Sequence, residues 1–181
     1  NVDLETQVAK LDQEYDTVCG AMTVEFDGDE RTMPQMAKYM QDPDRSVREA
    51  AWRATTDRRL QYKDAISDIF EKMLELRQHA AKHAGYDNFR DYQHAKMERF
   101  DYTPDDCVAF HEGVAEHVVP FMRELDKRRE ANMGVDVLRP WDLNADEKGR
   151  APLHPFETGQ DLIEKSRRVF HRLDAQLAGY F

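Results

Sequence analysis

Apolar side chains recurring at alternating steps of four and three constrain this chain more than any other feature, because only an α-helix brings such positions onto one face. Leu4, Val8, Leu11, Tyr15 and Val18 make the first stripe, which ends near Gly20. The clearest one is Tyr62, Ile66, Ile69, Phe70, Met73 and Leu76, on a helix that starts at Asp42-Pro43, runs to Ala84 and stops at Gly85. Thr55-Thr56 is the expected break within it, since two β-branched residues in a row weaken helical preference. A third stripe, Val108, His111, Val114, Ala115, Val118, Phe121, Met122 and Leu125, reads as the buried face of a helix opened by Thr103-Pro104-Asp105-Asp106. There the Thr hydroxyl caps, Pro takes the first helical position and the acids face the positive end of the dipole. Pro120 predicts a kink, because it has no N–H to donate to the carbonyl of Glu116. A last helix, capped by Thr158 and Asp161, carries Leu162, Ser166, Val169, Phe170, Leu173 and Leu177, and the sequence closes at Tyr180-Phe181.

Between the stripes lie shorter signals. Met22, Val24 and Phe26 alternate with polar residues up to Asp27-Gly28, a pair suited to a hairpin turn whose two positions need positive φ. Thr32-Met-Pro-Gln35 reads as a capping box opening a short helix to Gln41, and another short helix is expected over Asn88 to Met97. Residues 134–156, punctuated by Pro and Gly, form a long irregular connection holding Trp141. The reading is therefore mostly α: a multi-helix array with one small β-hairpin near the N-terminus.

The core available to these helices is thin. Leu, Ile, Val and Phe supply 36 of 181 residues, near the ~20% below which disorder is suspected; the helical periodicity argues against disorder. Charged residues reach 34%, above the roughly 25% of ordinary domains. The 26 basic and 36 acidic side chains leave a net charge of −10, which disfavours a nucleic-acid or anionic-membrane binder. Cys19 and Cys107 stand far apart without metal-ligand spacing, so no disulfide framework is expected and a reducing compartment suits them. No run approaches a membrane span and no leader is evident. The chain opens on Asn1 rather than Met, as an excised or processed piece would.

Candidate chemistry is sparse. His79 and His83, four apart, share one helix face at the spacing of a helical zinc site, but no Glu follows the first His and no third ligand is apparent. A polar last turn, with His at the negative dipole end, explains them better. His111-Glu112-Gly-Val-Ala-Glu116-His117 is not an HExxH motif, since its two His are six apart on different sides of the helix. Glu112 and Glu116 share a face and could hold a hard cation or act as an acid–base pair. A hydrogen-bonded core His111 with two solvated Glu is the preferred reading. The basic clusters Arg58-Arg59, Lys127-Arg128-Arg129 and Arg167-Arg168 have acids within a turn, so pairing along solvated helix faces accounts for them. No Gly-rich phosphate loop, GxSxG elbow or Cys-His pair is present.

Four segments in order carry a resemblance. They are Thr23-Val-Glu-Phe-Asp-Gly28 with Arg31-Thr32-Met33 and Asp44-Arg45-Ser-Val-Arg48-Glu49-Ala-Ala-Trp52; Leu76-Arg77 through Ala84-Gly85-Tyr86 with Asn88-Phe-Arg-Asp-Tyr92; Phe100-Asp-Tyr-Thr-Pro104-Asp-Asp-Cys107 with Phe110-His111 and Val119-Pro120; and Leu138-Arg-Pro-Trp-Asp-Leu143 with Pro152-Leu153 and Pro155-Phe156. Together they resemble the oligoendopeptidase F branch of the thimet-type zinc metallopeptidases. That resemblance implies a cytoplasmic zinc endopeptidase of short peptides, of which this chain is an N-terminal and middle piece. Residues 1–50 would match the family's N-terminal region, and residues 51–181 the opening helices of the peptidase domain, which wall one side of a substrate channel. The family's HExxH helix and downstream Glu lie beyond the segment resembling Leu138–Leu143, and no position here matches them. No catalytic residue and no metal ligand is therefore carried over, and the substrate-binding residues stay unassigned. Alone the chain is expected to be inactive, with zinc belonging to the parent enzyme and the catalytic half as its missing partner. Faces that pack on that half would be exposed and would favour self-association. The alternative is a free-standing helical binding or dimerisation module without catalysis.

Overall fold

A hairpin and a short helix nucleate one end of the molecule. In a computed structural model, which describes residues 1–180, β1 (Thr23–Phe26) pairs antiparallel with β2 (Asp29–Thr32), Phe26 facing Asp29 across the turn. Asp27 and Gly28 form that turn with φ of 55° and 78°, the two positive values a type I′ connection needs. The backbone N–H of Thr32 donates to Gln35 Oε1 at 2.8 Å and opens α2 (Met33–Met36), which tightens into a 3₁₀ turn over Ala37–Gln41. Val24, Met36 and Ala51 form the buried cluster of this end, with Phe26, Met33, Tyr39, Met40 and Ala54 packed around it. Phe26 and Tyr39 meet edge to face at 4.8 Å.

Three longer helices extend from it. Helix α1 (Val2–Gly20) packs along α4 (Lys63–His83), the Asn1 amide donating to the Ala80 carbonyl at 2.7 Å. At the other end of α1, Arg59 on α3 (Arg45–Leu60) donates to the Tyr15 hydroxyl at 3.3 Å. Asp44, rather than Asp42-Pro43, caps α3, accepting from the Ser46 N–H at 2.8 Å. The break before α4 falls at Gln61–Tyr62 and not at Thr55-Thr56. Thr55 stays helical, its hydroxyl donating to the carbonyls of Ala51 and Trp52 at 3.0 and 2.9 Å, a local bond that costs the helix little. Tyr62 instead takes φ −102°, ψ 9°, the sparsely populated bridge conformation in which a helical repeat cannot continue. In the α4 stripe Ile69 and Met73 are buried, whereas Phe70 is 58% exposed.

Asn88 caps α5 (Phe89–Lys96), and Thr103 caps α6 (Pro104–Gly113) in a reciprocal box: the Asp106 N–H donates to Thr103 Oγ1 at 3.2 Å and the Thr103 N–H to Asp106 Oδ2 at 2.7 Å. Pro120 acts through the turn ahead of it. Val114–Val118 widens into a π-helical turn, after which α7 (Val119–Met133) begins with Pro120 in its first turn, where an N–H has no partner to lose. Most of the stripe expected to be buried here is exposed instead, with Val114 and Leu125 half-buried: Val108, Val118 and Met122 stand out, Phe121 is 61% exposed, and His111 is exposed rather than a core residue. No residue of α6, the π turn or α7 is buried.

The chain divides into two compact units, residues 1–149 and residues 150–181. The second holds α8 (Gly159–Leu173), whose N-cap Thr158 accepts from the Asp161 N–H at 3.1 Å, and α9 (Ala175–Ala178), capped by Asp174. Leu162, Val169, Leu173 and Leu177 are exposed, and Phe181, which closes the sequence, lies outside the described residues.

Candidate functional site

A buried polar constellation of the first unit joins two segments far apart in the sequence. Asp142, in the 3₁₀ turn Pro140–Asp142, is fully buried and receives two arginines from the first turns of α3. Arg45 binds it in a fork, Nε to Oδ1 at 2.9 Å and Nη2 to Oδ2 at 2.8 Å, and Arg48 Nη2 adds a bond to Oδ1 at 3.1 Å. The backbone N–H of Arg139 completes the shell, donating to Oδ2 at 2.9 Å. Arg48, itself 2% exposed, donates from Nε to the Trp141 carbonyl at 2.9 Å and from Nη1 to the carbonyls of Asp42 and Pro43 at 2.8 and 3.0 Å. All three nitrogens of its guanidinium therefore donate, through four of the five N–H groups, which makes burying it tolerable. Arg129 on α7 reaches the same loop, donating to the Ala145 carbonyl at 2.8 Å. Trp52 and Trp141 tilt together at 5.3 Å.

The Arg45 fork, with the Arg139 N–H and Arg48, outweighs burial and holds the Asp142 carboxyl down at about 2. The site carries two cations on one anion, all three committed to one another. It binds the irregular 134–149 segment to α3; it presents no group free to take or give a proton.

The residues singled out for metal chemistry behave differently. His79 and His83 lie exposed near the end of α4, and Glu112 and Glu116 are exposed on α6 and the π turn. Among the described residues no group of three His, Cys, Asp or Glu side chains could hold a metal ion. Two exposed imidazoles without a third donor do not fit the four-coordinate shell of zinc, so no chemical step is assigned through a metal held by this chain. Cys19 and Cys107 are free. The basic clusters also differ from helix-face pairing: Arg58 bonds Gln61 and Tyr62, Arg59 bonds Tyr15 and Cys19, and Arg129 bonds backbone carbonyls. Lys127, on Glu124 at 2.8 Å, forms the expected kind of pair. No helix among the described residues is long and apolar enough to cross a membrane.

Both halves of the buried clamp, Asp44–Trp52 and Leu138–Leu143, are segments that carry the resemblance to oligoendopeptidases. The sequence profile of peptidase family M3 matches residues 38–170, and the chain belongs to that family. More particularly, it is similar to a protein described as an oligoendopeptidase F from Bacillus anthracis str. Ames, with 26% identity and a TM-score of 0.90 over 99% of this chain and 33% of that one. PZ peptidase A, solved with an inhibitor, matches in fold at 23% identity and a TM-score of 0.91, over 98% of this chain and 32% of that one. The oligoendopeptidase-F of Enterococcus faecium matches in fold at 16% identity and a TM-score of 0.67, over 95% of this chain and 32% of that one. The chain thus spans about a third of the length of these structures. No curated protein matches it.

Proposed function

We propose that this chain is the scaffold and channel-wall portion of a zinc-dependent, cytoplasmic oligoendopeptidase that hydrolyses short peptides, and that it does not cleave peptides by itself. The boundary near residue 50 would then separate the family's N-terminal region from the opening helices of its peptidase domain. The observation that carries the reading is the coincidence of two unlike faces. A buried ionic clamp holds α3 to the 134–149 segment, while the apolar faces of α6, α7 and α8 lie largely open. A free-standing module would cover such stripes with its own chain; a wall would leave them for the remainder of a longer enzyme, which supplies zinc ligands and general base. The two free cysteines suit a reducing compartment. Self-association through the open faces is expected when that remainder is absent.

Zinc content and cleavage of a quenched fluorescent peptide, measured together on the purified chain, test the proposal. The expected result is neither bound zinc nor cleavage. Stoichiometric zinc with chelator-sensitive cleavage, both lost on His79→Ala, would overturn it.

A further inference from the structure

The break between α3 and α4 opens a cleft of about 380 Å³ whose lining contains no acidic residue. The cleft on α8, lined by Lys165, Arg168, Val169, His171 and Arg172, shares that lack but offers no hydroxyl. By contrast, the cleft bounded by α1, α4 and α5 sets Glu5 against Lys96 at 2.6 Å and also has Asp12 and Arg77 in its lining. At the α3–α4 break the polar lining is Thr55, Thr56 and Arg59 from α3 with Lys63 and Ser67 from α4, the Thr55 hydroxyl being taken by the Ala51 and Trp52 carbonyls, and Met33, Leu60 and Ile66 supply apolar wall. Among the described residues Arg59 bonds only the Tyr15 hydroxyl and the Cys19 sulfur, neither of them a carboxylate. Thr56, Lys63 and Ser67 have no side-chain hydrogen bond or ion pair among the described residues.

Two cations without a counter-ion, two unpaired hydroxyls and an apolar wall in one concavity make an incomplete set. A carboxylate completes the charge, and bonds from a guanidinium and an ammonium to it are charge-assisted. The hydroxyls, each able to donate and to accept, match an amide group next to that carboxylate. The apolar wall then takes a side chain. We propose that this cleft binds the C-terminal residue of a short peptide: its α-carboxylate between Arg59 and Lys63, its amide at Thr56 and Ser67, and an apolar side chain on Leu60 and Ile66. A fatty acid offers the same carboxylate but leaves both hydroxyls unmatched, so the peptide is the better occupant. The site needs no catalysis by this chain, and it stands or falls independently of the peptidase reading.

Titration of the ¹⁵N-labelled chain with acetyl-Gly-Leu, its C-terminal amide and octanoate, followed by NMR, tests this. The free acid is expected to shift the amides of residues 56–67, and the peptide amide to bind about tenfold more weakly, since it lacks the charge on which the contacts rest. Lys63→Gln, at an exposed and unpaired position, is expected to weaken the free acid several-fold with the spectrum otherwise unchanged. Thr56→Glu, which places an anion in the cleft, should abolish binding. Arg59→Gln should also lose it; because Arg59 contacts α1, its folding is checked by circular dichroism, and Lys63→Gln decides if it unfolds. Equal binding of acid and amide, shifts outside the cleft, octanoate binding without peptide binding, or no binding at all would each overturn the proposal.

Discussion

Helix α3 and the α6–α7 pair belong to the same unit and reverse what their sequences lead one to expect. Helix α3 is rich in charge, yet it buries Arg48 and Ala51 and anchors the 134–149 segment. The α6–α7 pair carries the long apolar stripe, yet buries nothing. The comparison teaches that an apolar pattern states which face seeks a partner, whereas burial depends on whether a partner is there. A charge can be buried when its partners are complete.

The sharpest way to break the comparison is to remove the clamp's single anion. Asp142→Ala leaves Arg48 buried without a counter-charge, and urea unfolding should report a loss of about 3–5 kcal/mol. Arg48→Ala should approach that value. Arg45→Ala, at a side chain 42% exposed, should cost only about 1 kcal/mol, the upper range for a solvent-screened pair. Equal effects of the two arginines would refute the view that burial makes the difference.

Acid titration examines the same anion without mutation. The Asp142 carboxyl is lowered from 3.8 to about 2, so its stabilisation is present above the ordinary carboxylate value and is lost as pH falls from about 4 through about 2. The corresponding decline is about 2 kcal/mol. Stability curves of the chain and of Asp142→Asn should therefore differ in the steepness of that limb, and parallel curves would remove the electrostatic account.

These effects were not legible in the sequence. Arg48 and Asp142 were visible inside two segments of the family resemblance, but pairing residues 94 apart needs a fold to bring them together. The caps and the hairpin turn were legible because donor and acceptor lie within three residues of each other. Thr103→Ala should accordingly cost about 1 kcal/mol in thermal unfolding. Gly28→Ala, at φ 78°, should cost about 1 kcal/mol through backbone strain alone, and Gly28→Asn less, since Asn tolerates that conformation.

The smallest effect sharpens the other side of the comparison. Phe121→Gln on the open face should change the chain's stability by no more than about 0.5 kcal/mol. In a protein extended by the remainder that the proposed function requires, the same substitution should cost about 2 kcal/mol by removing a buried aromatic. A large loss in the chain alone would show that the face already has a partner.

By itself the sequence determined what short range decides: helical type from apolar spacing, helix starts from Thr103, Thr158 and Asn88, and the turn at Asp27-Gly28. Each depends on backbone groups a few residues apart, whose satisfaction does not wait for the rest of the fold. Tertiary structure alone decided that Thr55-Thr56 stays helical, that the break falls at Gln61–Tyr62, that His111 is exposed, and that Arg45 and Arg48 converge on Asp142. Those outcomes depend on which surfaces meet, and desolvation free energy is set by the neighbours a group acquires rather than by its own pattern.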